Sequence, residues 1–248
     1  MHILLVNDDG WHGEGLQALA KEAREAGHRV TICAPDRQRS GAGHSFTFAD
    51  ALHVHSLERF GMEGWMVDGT PADCARIGVW LLREDRPDIV ISGINYGSNI
   101  GAASVYSGTI GGAMEASMAG VPAIASSLVT LGLMKNGFGA AAKITLKLAE
   151  WALSHPFRMG EIYNLNVPDI PESEIKGIRK ANLSYLNLGV PHYEERKSEL
   201  GGPYYIFKMS DMPENTDPDS DLRLLMQGWA TVTPLTWNCA CDMDEIDL

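Results

Sequence analysis

The chain has 248 residues, 45% of them apolar, and a formal net charge of −12. That length and apolar content can bury a sizeable core, as one large α/β domain or as a domain with an appendage. The 32 acidic against 20 basic side chains exclude a nucleic-acid polymer as partner, because a phosphate backbone needs a basic face, and no apolar run reaches membrane-spanning length.

The first predicted element is a strand, Ile3 to Val6, which ends abruptly in Asn7, Asp8, Asp9 and Gly10. Next, "GLQALAKEAREAGHRV" places Leu16, Leu19, Ala20 and Ala23 on one helical face, with Gly27 as its stop. "HRVTICAP" reads as a strand closed by Pro35, and "PADCARIGVWLLRED" as a helix opening on a first-turn proline. "PDIVISGIN" is a continuous apolar strand with a polar end. "TIGGAMEASMAG" follows as a short helix starting near Ile110, "VPAIASSL" as a strand, "AAKITLKLAEWALSH" as a longer helix and "EIYNLNVP" as a further strand. Beyond about Pro168 the helical period fades. Residues 170–228, with stretches such as "GGPYYIFKM", read as hairpins and extended arms, and "WATVTPLTWN" as a strand with a tail. Apolar strands alternating with amphipathic helices predict an α/β fold with a mostly parallel sheet covered on both faces.

Met1 leads straight into a strand, with no signal peptide before it, and Cys33, Cys74, Cys239 and Cys241 show no zinc spacing. The expectation is a soluble cytoplasmic protein.

Open parallel sheets bind ligands outside the carboxyl ends of their strands. Three polar clusters fall there: "NDDG", "APDRQRSGAGHS" and "SGINYGSN". An Asp-Gly pair can be a plain turn, but two adjacent carboxylates repel each other, and a cation relieves that best. Asp8 and Asp9 are the expected catalytic pair, holding a hard divalent ion such as Mg²⁺ or Mn²⁺. Ser40 offers a hydroxyl ligand, and Asn95 and Asn99 offer neutral amide oxygens. In "YSGTIGGAMEA", Ser107, Gly108 and Thr109 stand where a helix begins, a geometry that binds phosphate through free backbone N–H groups. Ordinary capping by Ser107 or Thr109, with Glu115 in an early turn, competes with that reading. His44 suits a hydrogen-bonding partner better than a general acid. Capping explains Thr70 and Asp73 in "VDGTPADC", and packing or an interface explains Trp229 and Trp237.

These blocks, in this order and together with the late "VTPL", resemble the SurE family of metal-dependent 5′-nucleotidases from Met1 to about Leu235. The resemblance implies metal ligation by Asp8, Asp9, Ser40 and Asn95. It also implies a Rossmann-like catalytic core over 1–168, and an arm with an exchanged tail over 169–248 that forms a homodimer or homotetramer. The implied reaction is hydrolysis of nucleoside 5′-monophosphates, with weaker action on 3′-monophosphates and short polyphosphates. Either water or Asp8 itself attacks the phosphorus. The stretch "SDLRLLMQGWATVTPL" is looser than the family's late motif, and "NCACDMDEIDL" has no family counterpart. Among rivals, a sugar-nucleotide glycosyltransferase needs a second domain that the residues after Pro168 are too few to supply. A receiver-type domain needs an acceptor Asp where "DIVISGIN" has none. A non-enzymatic nucleotide-binding module would be set apart by lack of turnover.

Overall fold

A run that is apolar on both faces of a strand must be covered on both, and β1 (His2–Val6), apolar from Ile3 to Val6, is buried at all five of its residues. The computed structural model describes residues 1–59, 61–130, 134–184, 192–198, 201–208 and 217–240. Alternate side chains of β1 enter two separate cores. Ile3 and Leu5 pack with Leu16, Leu19, Ala20 and Ala23 of α1 (Glu14–Glu25) and with Ile144 and Leu148 of α4 (Gly139–Leu153). Leu4 and Val6 pack with Cys74 and Ala75 of α2 (Pro71–Leu81) and with Ala113 and Met114 of α3 (Gly108–Met118). The period of two along the strand thus distributes one apolar run between two helical layers.

The remaining strands are β2 (Arg29–Pro35), β3 (Val54–Arg59), β4 (Met62–Val67), β5 (Ile89–Tyr96), β6 (Ala123–Val129), β7 (Glu161–Pro168), β8 (Ile178–Lys180), β9 (His192–Lys197), β10 (Pro203–Lys208) and β11 (Ala230–Thr236). Among the described residues, β1 and eight of these form one sheet in the order β3-β4-β2-β1-β5-β6-β7-β11-β8. Its centre is parallel; β3 runs antiparallel to β4, and β11 antiparallel to β7. The chain leaves β1 toward β2 on one side and later returns to β5 on the other. The carboxyl end of β1 is therefore the switch point where such sheets leave a crevice.

β3 and β4 have no counterpart among the elements expected from sequence. They form an edge hairpin, with β4 burying Met62, Gly64 and Val67 while β3 stays largely exposed. α3 begins at Gly108, two residues ahead of the expected start near Ile110. Among the described residues, β9 and β10 pair only with each other, as a mostly exposed antiparallel ribbon. β8, β11 and the short α5 (Asp221–Met226) return from the arm region to the body, where β8 and β11 extend the main sheet. Among the described residues, no helix is long and apolar enough to cross a membrane.

Candidate active site

Asp8 and Asp9 leave β1 at this switch point. Asp8 is buried, and its Oδ1 accepts a 2.7 Å hydrogen bond from the Thr109 hydroxyl. Burial holds its carboxyl above the usual carboxylate range, with the Thr109 bond opposing. Asp9 is half-buried. Burial first, and the charge of Asp8 second, push it up to about 6, against a hydrogen bond from the backbone N–H of Tyr96. Among the described residues no basic side chain contributes at either carboxylate.

Four segments converge on the pair. The backbone N–H of Arg39 donates to the carbonyl of Asp8 at 2.7 Å, which ties the Ser40 turn to the end of β1. The Tyr96 contact brings in the end of β5, where a shift in register between Ser92 and Asn95 alters the pairing with β6. Gly13, which precedes the first turn of α1 without a side-chain cap, lies so close that a Cβ there would stand 2.9 Å from Cβ of Asp9. Gly108, the first residue of α3, approaches from the other side: a Cβ would meet Asp8 Cβ and Pro71 Cγ at 3.0 Å each. Two helix N-termini therefore flank the two acids, and the positive ends of their dipoles favour negative charge there.

The donor set is all oxygen. Ser40 is exposed and its Oγ accepts from Gln38 Nε2 at 2.9 Å. Asn95 donates its amide nitrogen to the Gly97 carbonyl at 3.0 Å, which leaves its oxygen end for a ligand. Two carboxyl groups short of positive charge, with a hydroxyl and an amide oxygen on adjoining turns, fit a hard divalent ion, which would favour their ionised form. Among the described residues no three His, Cys, Asp or Glu side chains group as a metal site. An ion here would rest on the two acids, with neutral oxygens and water completing its shell.

The other expected residues divide. Ser107 caps α3, its Oγ accepting from the Ile110 N–H at 3.2 Å, and it keeps a hydroxyl proton to donate. Thr109 is fully buried with its hydroxyl given to Asp8, so its side chain orients an acid. Asn99 is buried in a polar seam. Its N–H reaches Asn166 Oδ1 at 2.9 Å, its side-chain amide reaches Ser127 Oγ at 2.8 Å, and its carbonyl accepts from Asn164 and Asn166. Those bonds fasten the loop after β5 to β6 and β7. A cavity of about 780 Å³ beside the 3₁₀ helix Gly101–Tyr106, lined by Ser104, Asn182, Ser184 and Asp217 among others, contains none of the expected site residues.

Asp73 does more than cap. It closes a capping box with Thr70 and also accepts from both the N–H (2.7 Å) and the hydroxyl (2.9 Å) of Thr47, pinning the far end of the Ser40 loop to α2. His44 in that loop stands 3.0 Å from Glu115 Oε2 on α3. The partners lie 26 and 71 residues apart, so no local pattern signals them.

A family profile described as "Survival protein SurE" matches residues 3–189. The 5′-nucleotidase SurE of Desulfitobacterium hafniense is 40% identical over 242 residues, covering 95% of this chain and 90% of the relative. The 5′/3′-nucleotidase SurE of Salmonella arizonae is 40% identical over 241 residues, with the same coverage. The crystal structure of the SurE protein from Aquifex aeolicus superposes with a TM-score of 0.80 at 32% identity, covering 97% of this chain and 95% of that one.

Proposed function

The chain belongs to the SurE family, and we propose that it is a divalent-metal-dependent phosphatase that hydrolyses nucleoside 5′-monophosphates. The observation that carries the reading is the pair Asp8 and Asp9, crowded together at the switch point of the sheet without a basic partner among the described residues. The name of the Salmonella relative supports an extension to 3′-monophosphates, and short polyphosphates are a further expected substrate.

Asp8, Asp9, Ser40 and Asn95 would hold the ion, which when bound polarises a phosphoryl oxygen and promotes attack by water. Thr109 keeps Asp8 in one orientation. The opening N–H groups of Gly108 and Thr109 and the Ser107 hydroxyl are placed to receive phosphate oxygens at the positive end of α3. The absence of a side chain at Gly108 lets a phosphate and Asp8 approach the same turn. Asn99 serves this arrangement from behind, by fastening the loop that follows Asn95.

The test is phosphate release from nucleoside 5′-monophosphates after chelation and again after Mn²⁺ is restored. Activity lost on chelation and regained with Mn²⁺ is expected. Release undiminished by chelation would remove the metal, and equal rates on sugar phosphates would remove recognition of the nucleoside. A single turnover in ¹⁸O-water is expected to label the phosphate, and label in the Asp8 carboxylate would make Asp8 the nucleophile. We also propose that residues 1–168 form the catalytic core and 169–248 the assembly segment of a homodimer or homotetramer. The exposed Tyr193, Tyr204, Tyr205 and Phe207 on the β9–β10 ribbon support this, as apolar surface that a second copy would cover. Sedimentation at equilibrium would decide, and a monomer would overturn it.

A further inference from the structure

α3 is built from small and apolar residues with one charged exception, Glu115, which is 5% exposed. A carboxylate in that position persists only if its oxygens are matched. Glu115 Oε1 accepts from Arg76 of α2 at 2.6 Å, and Oε2 faces His44 Nε2 at 3.0 Å. The His44 bond foremost, and then Arg76, keep its carboxyl below the usual glutamate range. With Glu115 ionised it can only accept, so His44 is the donor of their bond.

One turn before Glu115, Gly111 lets the same loop lie on the helix. A Cβ at Gly111 would fall 2.3 Å from the Gly43 carbonyl oxygen and 3.0 Å from His44 Cα. The Gly43 N–H also reaches the Tyr106 carbonyl at 3.0 Å. Ser40 is thus strung between two anchors. On one side Arg39 is tied to the Asp8 carbonyl; on the other, Gly43 and His44 are seated on α3. Ser40 itself is exposed, and its hydroxyl is bonded to its near neighbour Gln38, so the anchors decide where that hydroxyl stands.

We propose that Glu115 is a positioning residue, which through His44 seats the Ser40 turn on α3 and so places the Ser40 hydroxyl beside Asp8 and Asp9. The inference rests on the reading that Ser40 is a ligand of the divalent ion. It assigns to a buried acid outside the ligand set a measurable share of metal affinity.

The experiment compares Glu115→Gln, His44→Gln and Ser40→Ala, and each of the first two combined with the third, by calorimetric Mn²⁺ titration. Glu115→Gln and His44→Gln are each expected to weaken Mn²⁺ binding roughly tenfold, the scale of one hydrogen bond to a charged group. The value of kcat at saturating Mn²⁺ should stay within about twofold, since neither residue touches substrate. In the Ser40→Ala background neither substitution should weaken binding further, because residues acting through one group are not additive. Amide hydrogen exchange of the metal-free protein should be faster over residues 41–44 in both variants. Losses that add in full on Ser40→Ala, or Mn²⁺ affinity unchanged in both single variants, would overturn the proposal. If Glu115→Gln does not fold, His44→Gln, on an exposed loop, decides alone. Should Ser40→Ala by itself bind Mn²⁺ like the parent, the ligand reading fails and this inference falls with it, an outcome visible without either Glu115 or His44 variant.

Discussion

α1 and α3 both start against the acidic pair, yet they are made from opposite materials. α1 is amphipathic: Leu16, Leu19, Ala20 and Ala23 face the core while Lys21, Arg24 and Glu25 face solvent. α3 is buried at every residue from Gly108 to Ser117. The first helix obeys one boundary, between core and water, and so shows a period. The second has several neighbours to admit at close range: Asp8 at Gly108, the Ser40 loop at Gly111, and Ser92 and Pro71 at Gly112. Small residues replace periodicity where a helix serves a site.

The contrast can be broken most sharply at the acids that both helices abut. Asp9→Asn is expected to abolish Mn²⁺ binding with the fold intact, and calorimetric titration showing unchanged affinity would take Asp9 out of the site. The same group gives a pH signature. Its pKa is raised in the folded state to about 6, so between the ordinary carboxylate range and that pH the folded protein holds a proton that the unfolded chain releases. Metal-free stability should therefore fall as pH rises through about 6, and Mn²⁺ affinity should fall as pH drops through it. Thermal melts of the Asn variant should show a smaller slope, the remainder belonging to Asp8; an identical slope would place its source elsewhere.

The next largest effect belongs to the start of α3. Gly108→Val would drive a branched side chain into Asp8 and Pro71, and kcat/KM on a nucleoside monophosphate should fall by more than a hundredfold. Full activity in this variant would mean that the phosphate lies elsewhere. Ser107→Ala should cost ten- to a hundredfold in kcat/KM, the range for losing a hydrogen bond to a charged group of about 1.5–3 kcal/mol, and leave Mn²⁺ affinity unmoved. A tenfold loss of Mn²⁺ affinity would instead make Ser107 part of the ligand shell. The smallest effect is expected on the outer face of α1. Lys21 meets Glu25 at 3.9 Å with both side chains mostly exposed, so Lys21→Ala should leave kcat/KM alone and shift Tm by less than about 2 °C. A larger change would deny α1 the simple division between core and water.

The same distinction explains what the sequence disclosed. The apolar face of α1 and the apolar runs Ile3–Val6 of β1 and Ile89–Ile91 of β5 follow from local periods, and they sit where those periods put them. Asp8 and Asp9 were legible because two adjacent charges at a strand's end have few other uses. Thr109 and Asn99 stood out in the sequence as candidates, but their pairings with Asp8 and Ser127 did not. The second roles of Asp73 and Glu115 depend on Thr47 and His44, brought near only by the finished fold. β3 and β4 escaped for a different reason: an edge hairpin half in solvent lacks the continuous apolar run that marked the central strands.

The eighth place in the sheet order, held by β11, has a consequence for how the chain is made. β11 covers β7 from Thr231 opposite Asn166 to Thr236 opposite Glu161, and β8 joins the sheet through β11. On the ribosome β7 emerges well before β11, so a nascent chain carries that flank of β7 as a raw edge of unpaired N–H and C=O groups. Such an edge is a template for any other extended chain nearby. A product cut short before Ala230 would stay in that condition permanently. Its defect would show in the pellet of a centrifuged lysate before any assay of phosphate release.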